Sequence, residues 1–111
     1  ILFLFSFIFG YIFNNSPDEI LISESKKIFG YLTAKGIEKD LRERKIENAY
    51  KKAVQFLKIS PYEPRSNFLM AVVYYEMGDK EKTIEYLNKT IEIDSKFEPA
   101  KKFLNDIINK K

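Results

Sequence analysis

The feature that most constrains the fold of this chain is a self-similarity with a period of about 34 residues. This period defines one repeat. When the sequence is compared with itself at that offset, apolar residues coincide, as in the pairs Tyr50 and Ile84, Leu57 and Ile91, Ile59 and Ile93, Leu69 and Phe103, and Met70 and Leu104. A fixed period of roughly 20 to 50 residues is typical of helical repeat arrays. The chain therefore predicts a stack of similar helical units, of which residues 61–94 form the clearest.

Helical periodicity and turn residues predict an all-α fold with helices that follow an N-terminal segment. The first helix begins at the capping sequence Ser16-Pro17-Asp18-Glu19 and ends at Gly36. The next three helices are predicted over residues 37–59, 64–77 and 80–93, with a Gly-Asp turn between the last two. A final helix starts between Ser95 and Pro99.

Apolar residues at helical spacing predict which faces are buried. The first helix is expected to pack through Leu21, Ser25, Ile28 and Leu32, with Ile22 and Phe29 beside them, and the last helix through Phe103, Leu104, Ile107 and Ile108. The charged stretch 37–45 is expected to stay in solvent, because its charges occupy every face of a helix.

Residues 1–13 form an uncharged apolar segment, so the predicted domains are 1–15 and 16–111. As a helix this segment would span about 20 Å, less than the ~30 Å hydrocarbon core of a bilayer. Its aromatic residues alternate with a period of two, which is the pattern of a strand: Phe3, Phe5, Phe7, Phe9, Tyr11 and Phe13. Helix is favoured over strand, and three roles stay open: a membrane anchor, an arm that packs in an assembly, or a signal-peptide core.

Composition argues against chemistry. The chain has no cysteine and no histidine, which removes thiol nucleophiles, imidazole bases and the common metal motifs. Its carboxylates fall on solvent faces of the predicted helices, and its glycines form no phosphate-binding loop. We therefore expect no enzyme activity, no cofactor, no metal, no small-molecule substrate and, with a net charge of only +3, no nucleic-acid partner.

The charge is distributed in blocks. Residues 37–60 sum to +3, residues 61–94 to −3 and residues 95–111 to +3. Alternating blocks of this kind suit head-to-tail contacts between molecules.

The unit over residues 61–94 resembles the tetratricopeptide repeat (TPR) family. Met70 and Ala71 stand where the family has its Leu-Gly pair, and the match continues through Tyr74, Gly78, the small Thr83, Leu87 and the small Thr90. The stretch 46–61 is similar to the second helix of such a repeat, with Ala49 in a small position and Pro61 closing it, although Ala53 and Phe56 reverse the expected order of large and small. Further upstream, Phe29-Gly30 look like the Leu-Gly pair of a first repeat, but they lie farther before Ala49 than the family allows.

The resemblance implies a short right-handed array of antiparallel helix pairs whose first helices line a groove for a peptide or a protein. Met70, Ala71 and Tyr74 are then expected to pack inward. The residues expected to face the groove are Arg65, Phe68, Val72, Tyr75 and Glu76. The alternative is that other helices of the same domain cover this stripe.

Two functions follow as expectations. The first is a non-catalytic scaffold for protein–protein interaction, tethered by residues 1–13 to a membrane and lying outside the cytoplasm, since no Lys or Arg precedes Lys26 to favour a cytoplasmic position. The alternative is a self-assembling subunit of a surface or extracellular filament, whose layout is similar to that of a pilin. The sequence departs from the type IV pilin pattern at Phe5, where that family has a glutamate.

Overall fold

The computed structural model describes the backbone of residues 17–109 and the side chains of residues 24–109. Over this range the chain is all-α, as expected. It forms α1 (Pro17–Arg42), α2 (Ile46–Ile59), α3 (Pro64–Glu76), α4 (Lys80–Ile93) and α5 (Glu98–Asn109). Each helix packs against the next one along the chain, and α1 also contacts α3. The predictions for residues 1–13 fall outside the described residues.

The helix boundaries recur at the spacing found in the sequence. A boundary is followed by its equivalent one repeat later in the pairs Ile46 and Lys80, Ile59 and Ile93, Pro64 and Glu98, and Arg42 and Glu76. The predicted ends of α4 are confirmed, and those of α3 are confirmed to within one residue. The described part of the chain is therefore a helical repeat in its backbone as well as in its residue pattern.

The predicted end of the first helix at Gly36 is wrong. The helix continues to Arg42, and α2 begins at Ile46 rather than at Ile37. A glycine inside a helix costs only about 1 kcal/mol, and complete burial of Ile37 outweighs that cost. The chain turns instead at Arg44, whose φ of 62° places it in the left-handed region. Its counterpart one repeat later is Gly78, with a φ of 84°.

The charged stretch 37–45 is also less exposed than expected. Ile37 is completely buried and Asp40 is only 6% exposed. The Lys52 ammonium lies 2.7 Å from Oδ2 of Asp40, without the alignment of a hydrogen bond. Close opposite charge compensates the loss of hydration that burial imposes on the carboxylate.

Two clusters of side chains form the core. The first joins α1, α2 and α3 and is built on Ala34, Ile37, Ala49, Ala53, Phe56, Leu69, Met70, Val73 and Tyr74. The second joins α3, α4 and α5 and is built on Ala71, Leu87, Ala100 and Ile107. The inward positions predicted for α3, Met70, Ala71 and Tyr74, are thus confirmed.

Buried hydroxyl groups in α4 bond to their own helix. The Thr83 hydroxyl donates to the Asp79 carbonyl at 2.7 Å, and the Thr90 hydroxyl donates to the Tyr86 carbonyl at 2.8 Å. Both residues are fully buried, so these bonds satisfy polar groups that would otherwise lack a partner.

The two end helices expose residues that were expected to be buried. In α1, Ile28 is 59% and Leu32 is 62% exposed, whereas Ala34 and Ile37 pack against α2 and α3. Because α1 continues through Gly36, its buried face is the one that carries Ala34 and Ile37, and α2 and α3 cover that face. In α5, Phe103, Leu104 and Ile107 pack as expected, but Ile108 is 62% exposed.

Candidate interaction surface

The predicted groove stripe lies on α3, and the structure divides it into covered and open parts. Phe68 and Val72 are half-buried, whereas Arg65 and Glu76 are exposed. Tyr75 is 44% exposed. The stripe is therefore neither a fully open apolar groove nor a closed core.

Aromatic residues from α5 and from the α4–α5 loop cover part of this stripe. The Phe68 ring centroid lies 5.4 Å from that of Phe97 and 6.4 Å from that of Phe103. The Tyr75 ring meets Phe103 at 5.1 Å, edge to face. These contacts bind α3 to the final helix, so Phe68 serves the packing of the array as much as its surface. What remains accessible is one side of Tyr75, the edge at Val72, and Arg65.

The charged ends of the stripe differ in their surroundings. Glu76 accepts a hydrogen bond of 2.8 Å from the Arg44 guanidinium, which reaches it from the α1–α2 turn. Arg65, at the opposite end, forms no salt bridge with any carboxylate among residues 24–109. A guanidinium with no ion-pair partner among residues 24–109 is suited to bind a carboxylate or a backbone carbonyl of a peptide.

A row of tyrosines lies between the helices behind this surface. Tyr50 meets Tyr74 at 5.9 Å, and Tyr74 stacks on Tyr86 at 5.7 Å. Burial, together with the neighbouring Tyr50 hydroxyl, raises the pKa of Tyr74 to about 12. The phenol therefore stays protonated at neutral pH, and it cannot act there as a base or a nucleophile.

A second concave surface lies on the side of α2 and α4. It is a cleft of about 420 Å³ whose lining includes Leu57, Tyr62, Tyr86 and Ile93. Tyr62, in the α2–α3 loop, is 85% exposed. Tyr62 is not among the residues predicted from the sequence, although an aromatic residue between Pro61 and Pro64 in a polar turn is a signal that could have identified it.

Many charged side chains of the described region form pairs at the surface. No group of three or more Asp or Glu residues among them could hold a metal ion. Several exposed carboxylates pair with lysines one helical turn away, as Glu47 does with Lys51 and Glu85 with Lys89. No described helix is long and apolar enough to cross a membrane.

No protein-family model matches the chain. No curated protein matches its sequence either.

Proposed function

We propose that this chain is a non-catalytic protein–protein interaction scaffold, TPR-like in its architecture, which binds an extended peptide or a protein segment across α3. The observation that carries the proposal is the recurrence of the helix boundaries at the repeat spacing, combined with a partly open aromatic surface on the first helix of the middle unit. Repeat arrays of this kind present continuous surfaces for partners.

The helix boundaries support the TPR-like interpretation more closely than the sequence did. The residues that lie one repeat before Met70 and Ala71 are Gly36 and Ile37, and both belong to α1. Ile37 precedes Ala49 by the shorter spacing that the family allows. On this proposal the resemblance extends to a first unit over residues 30–63, with Gly36-Ile37 rather than Phe29-Gly30 at its Leu-Gly position. A right-handed superhelix is part of the same proposal.

The partner is a protein or a peptide rather than a nucleic acid or a small molecule. Tyr75 and Arg65, at opposite ends of α3, supply two features common in such surfaces: an exposed amphipathic ring, and a guanidinium without a salt bridge among residues 24–109. The absence of cysteine and histidine from the sequence and the protonated state of Tyr74 support a role without catalysis, cofactor or metal.

A selection from a peptide library displayed on phage tests this function directly. Peptides enriched on the full chain should bind the Tyr75→Ala variant at least about 10-fold more weakly, which corresponds to about 1.4 kcal/mol. The matched control is Met77→Ala, because Met77 is 51% exposed but lies outside the stripe. Phe68 is unsuitable as a probe, since its loss would disturb the contacts with Phe97 and Phe103.

Two results would argue against the proposal. One is a library that yields no peptide above background on the wild-type chain. The other is a set of peptides whose affinity falls equally for Tyr75→Ala and Met77→Ala, which would place their binding site elsewhere or make it nonspecific.

The proposed position of the scaffold is outside the cytoplasm and close to a membrane, with residues 1–13 as the tether. The apolar, uncharged character of that segment supports this placement. If the tether is correct, the chain remains in the membrane fraction after washing at alkaline pH, and protease added to intact cells or spheroplasts removes residues 17–109. A chain recovered in the soluble fraction contradicts it.

A second candidate is a self-assembling subunit. The observation that favours it is the exposure of Leu32 on α1 and Ile108 on α5, the first and the last of the described helices. This candidate uses the ends of the array and leaves the α3 surface free.

A further inference from the structure

Four residues follow one another along one side of α3. Arg65, Phe68, Val72 and Tyr75 are separated by three or four positions, so neighbouring members of this series lie side by side on the helix. A helix rises about 1.5 Å per residue, and the interval from Arg65 to Tyr75 therefore spans about 15 Å. These two residues mark the ends of one elongated surface.

The middle of this surface is partly covered, whereas its ends are accessible. Phe68 and Val72 are half-buried, and the Phe68 ring packs against that of Phe103, with 6.4 Å between the ring centroids. Arg65 is exposed, and Tyr75 is 44% exposed although its ring also contacts Phe103. A ligand on this surface would therefore make its main contacts at the two ends, with a guanidinium at one and a phenol ring at the other.

Acidic groups lie near the Tyr75 end of the surface. Glu76 is the next residue in the chain, and its carboxylate is paired with the Arg44 guanidinium at 2.8 Å. Asp106 lies one helical turn after Phe103, which contacts Tyr75, and it is exposed without a salt bridge among residues 24–109. Because Asp106 would repel a carboxylate of the ligand, this end favours an uncharged, apolar side chain.

The Arg65 end has the opposite character. Glu63, the nearest acidic residue in the sequence, directs its carboxylate toward α1, where Oε2 lies 3.4 Å from the position that a Cβ on Gly30 would occupy. Acidic side chains on the adjoining helices already have cations beside them: Glu38 has Lys35 at 3.8 Å, and Glu98 has Lys101 at 3.5 Å. Arg65 is in no salt bridge among residues 24–109, so its guanidinium remains available to an acidic ligand.

We infer that the peptide bound at α3 lies along this helix, with a carboxylate side chain on Arg65 and an apolar side chain on Tyr75. An extended chain advances about 3.3 Å per residue, so the two peptide side chains are separated by about four to six residues. The contact at Arg65 is charge-assisted, which makes it the stronger of the polar contacts on this surface. The inference rests on the proposed function and adds the chemistry, the spacing and the orientation of the peptide.

Reversal of one charge tests the chemistry of the peptide. Selections from a peptide library displayed on phage are run on the full wild-type chain, on Arg65→Glu and on Lys58→Glu. Wild-type selection should enrich peptides with Asp or Glu about four to six residues from an aromatic or aliphatic residue. Arg65→Glu should enrich Lys or Arg at that acidic position instead.

The control variant makes the same change of charge away from α3. Lys58 is an exposed residue of α2 that forms no salt bridge among residues 24–109, so Lys58→Glu should enrich the same acidic peptides as the wild-type chain. Arg65 lies in the first turn of α3, where a carboxylate interacts favourably with the helix dipole, so Arg65→Glu should retain the fold. Circular dichroism and the melting temperature verify this for both variants.

Affinities measured with one enriched acidic peptide test the contact itself. Arg65→Gln should weaken binding by about 5-fold or more, and replacement of the acidic peptide residue by its amide should do the same. The two changes together should cost little more than either alone, because both remove one interaction. Salt raised from about 0.05 M to about 0.5 M should weaken wild-type binding several-fold and Arg65→Gln binding much less.

The spacing is tested with insertions in the same peptide. Serine residues added between the acidic and the apolar residue should weaken binding several-fold once the interval exceeds about six residues, because one of the two contacts is then lost. The same serines added outside this interval should leave the affinity unchanged. An affinity that does not depend on where the serines are placed overturns the inferred arrangement along α3.

Other outcomes separate this inference from the proposed function. Peptides that lose affinity for Tyr75→Ala but bind Arg65→Glu as well as the wild-type chain overturn the inference and leave the peptide site on α3 standing. Equal losses for Arg65→Glu and Lys58→Glu would assign the effect to net charge and would overturn it as well. A library that yields no peptide on the wild-type chain contradicts the proposed function, and the inference falls with it.

Discussion

Replacement of Arg44 by glycine tests whether the α1–α2 turn carries backbone strain that the equivalent α3–α4 turn avoids. Arg44 has a φ of 62°, and Gly78, its counterpart in the next unit, has a φ of 84°. Glycine adopts this left-handed region readily, whereas other residues pay a steric cost. The Arg44 side chain has a compensating contact, the 2.8 Å hydrogen bond to Glu76.

The expected size of each effect follows from these contacts. The left-handed conformation costs a non-glycine residue roughly 1–2 kcal/mol, and the greater freedom of glycine in the unfolded chain offsets about 0.5–1 kcal/mol of the relief. The net backbone gain is therefore about 0.5–1 kcal/mol. An ion pair as exposed as that of Arg44, with 68% of the side chain accessible, contributes about 0.5 kcal/mol. Arg44→Gly alone should thus change stability by less than about 0.5 kcal/mol.

The substitution Glu76→Gln removes the ion pair with Arg44 that compensates the backbone strain. In a Glu76→Gln chain the ion pair is already lost, so Arg44→Gly should stabilise by the full backbone gain of about 0.5–1 kcal/mol. For a domain of this size, a gain of about 1 kcal/mol corresponds to a rise of about 4–8 °C in melting temperature. Urea denaturation followed by circular dichroism measures the four free energies of unfolding that complete the cycle.

Gly78→Ala provides an internal calibration. A Cβ at Gly78 has no heavy atom within 4 Å, so this substitution changes the backbone conformational energy without a steric clash. It should destabilise by about the same 0.5–1 kcal/mol that Arg44→Gly recovers in the Glu76→Gln background. If Arg44→Gly destabilises that background while Gly78→Ala behaves as expected, the turn at Arg44 is not strained and the reasoning is refuted.

Three further predictions concern the core. Gly36→Ala should stabilise by up to about 1 kcal/mol in thermal or urea unfolding, because its Cβ would meet only the Lys52 side chain at 3.7–3.9 Å; a loss of stability would contradict this. Lys52→Met should destabilise by about 1–3 kcal/mol, since it leaves the buried Asp40 carboxylate without its cation, and addition of Asp40→Asn should restore most of the loss in a double-mutant cycle. The raised pKa of Tyr74 means that the folded state holds its proton more tightly than the unfolded state, whose tyrosine titrates at about 10. The contribution of this group to stability should be complete below pH 10 and should fall, by on the order of 2 kcal/mol, as the pH rises to about 12. The Tyr74→Phe variant should lose less stability over the same interval.

The helices that the sequence predicted correctly are those with unambiguous signals at both ends. α4 follows the Gly78-Asp79 turn, and the Asp79 carboxylate accepts a hydrogen bond from the Lys82 amide as an N-cap. Its small residues and its leucine also occupy the expected buried positions. Local chemistry and packing agree here, so the pattern of residues was sufficient.

The first unit was mispredicted because its local signals conflict with its packing. Gly36 has the sequence context of a C-cap, but burial of Ile37 carries the helix past it. The actual turn lies in a run of charged residues and uses Arg44 in a conformation that sequence patterns assign to glycine. Nothing local distinguishes Arg44 from its neighbours; only the spacing from Gly78 does.

The candidate surface on α3 was also predicted only in part from the sequence. Helical spacing placed Phe68, Val72 and Tyr75 on one side of α3, and the structure agrees that none of them is fully buried. Sequence periodicity could not show that Phe97 and Phe103 would cover Phe68, because those residues come from a loop and a helix that follow α4. Coverage depends on how neighbouring units pack, which a single-helix pattern does not contain.

The order in which the helices pack also determines how the protein responds to a pulling force. Because each helix packs mainly on its neighbours in the chain, tension applied to the two termini would load the end helices first. α5 packs on α4 and, through Phe103, on α3, whereas α3 is held by α2, α4 and α5, so α5 would separate before α3. The array would therefore unfold under load one helix at a time, starting from an end. When the load is removed, each helix could refold against the neighbour that is still in place.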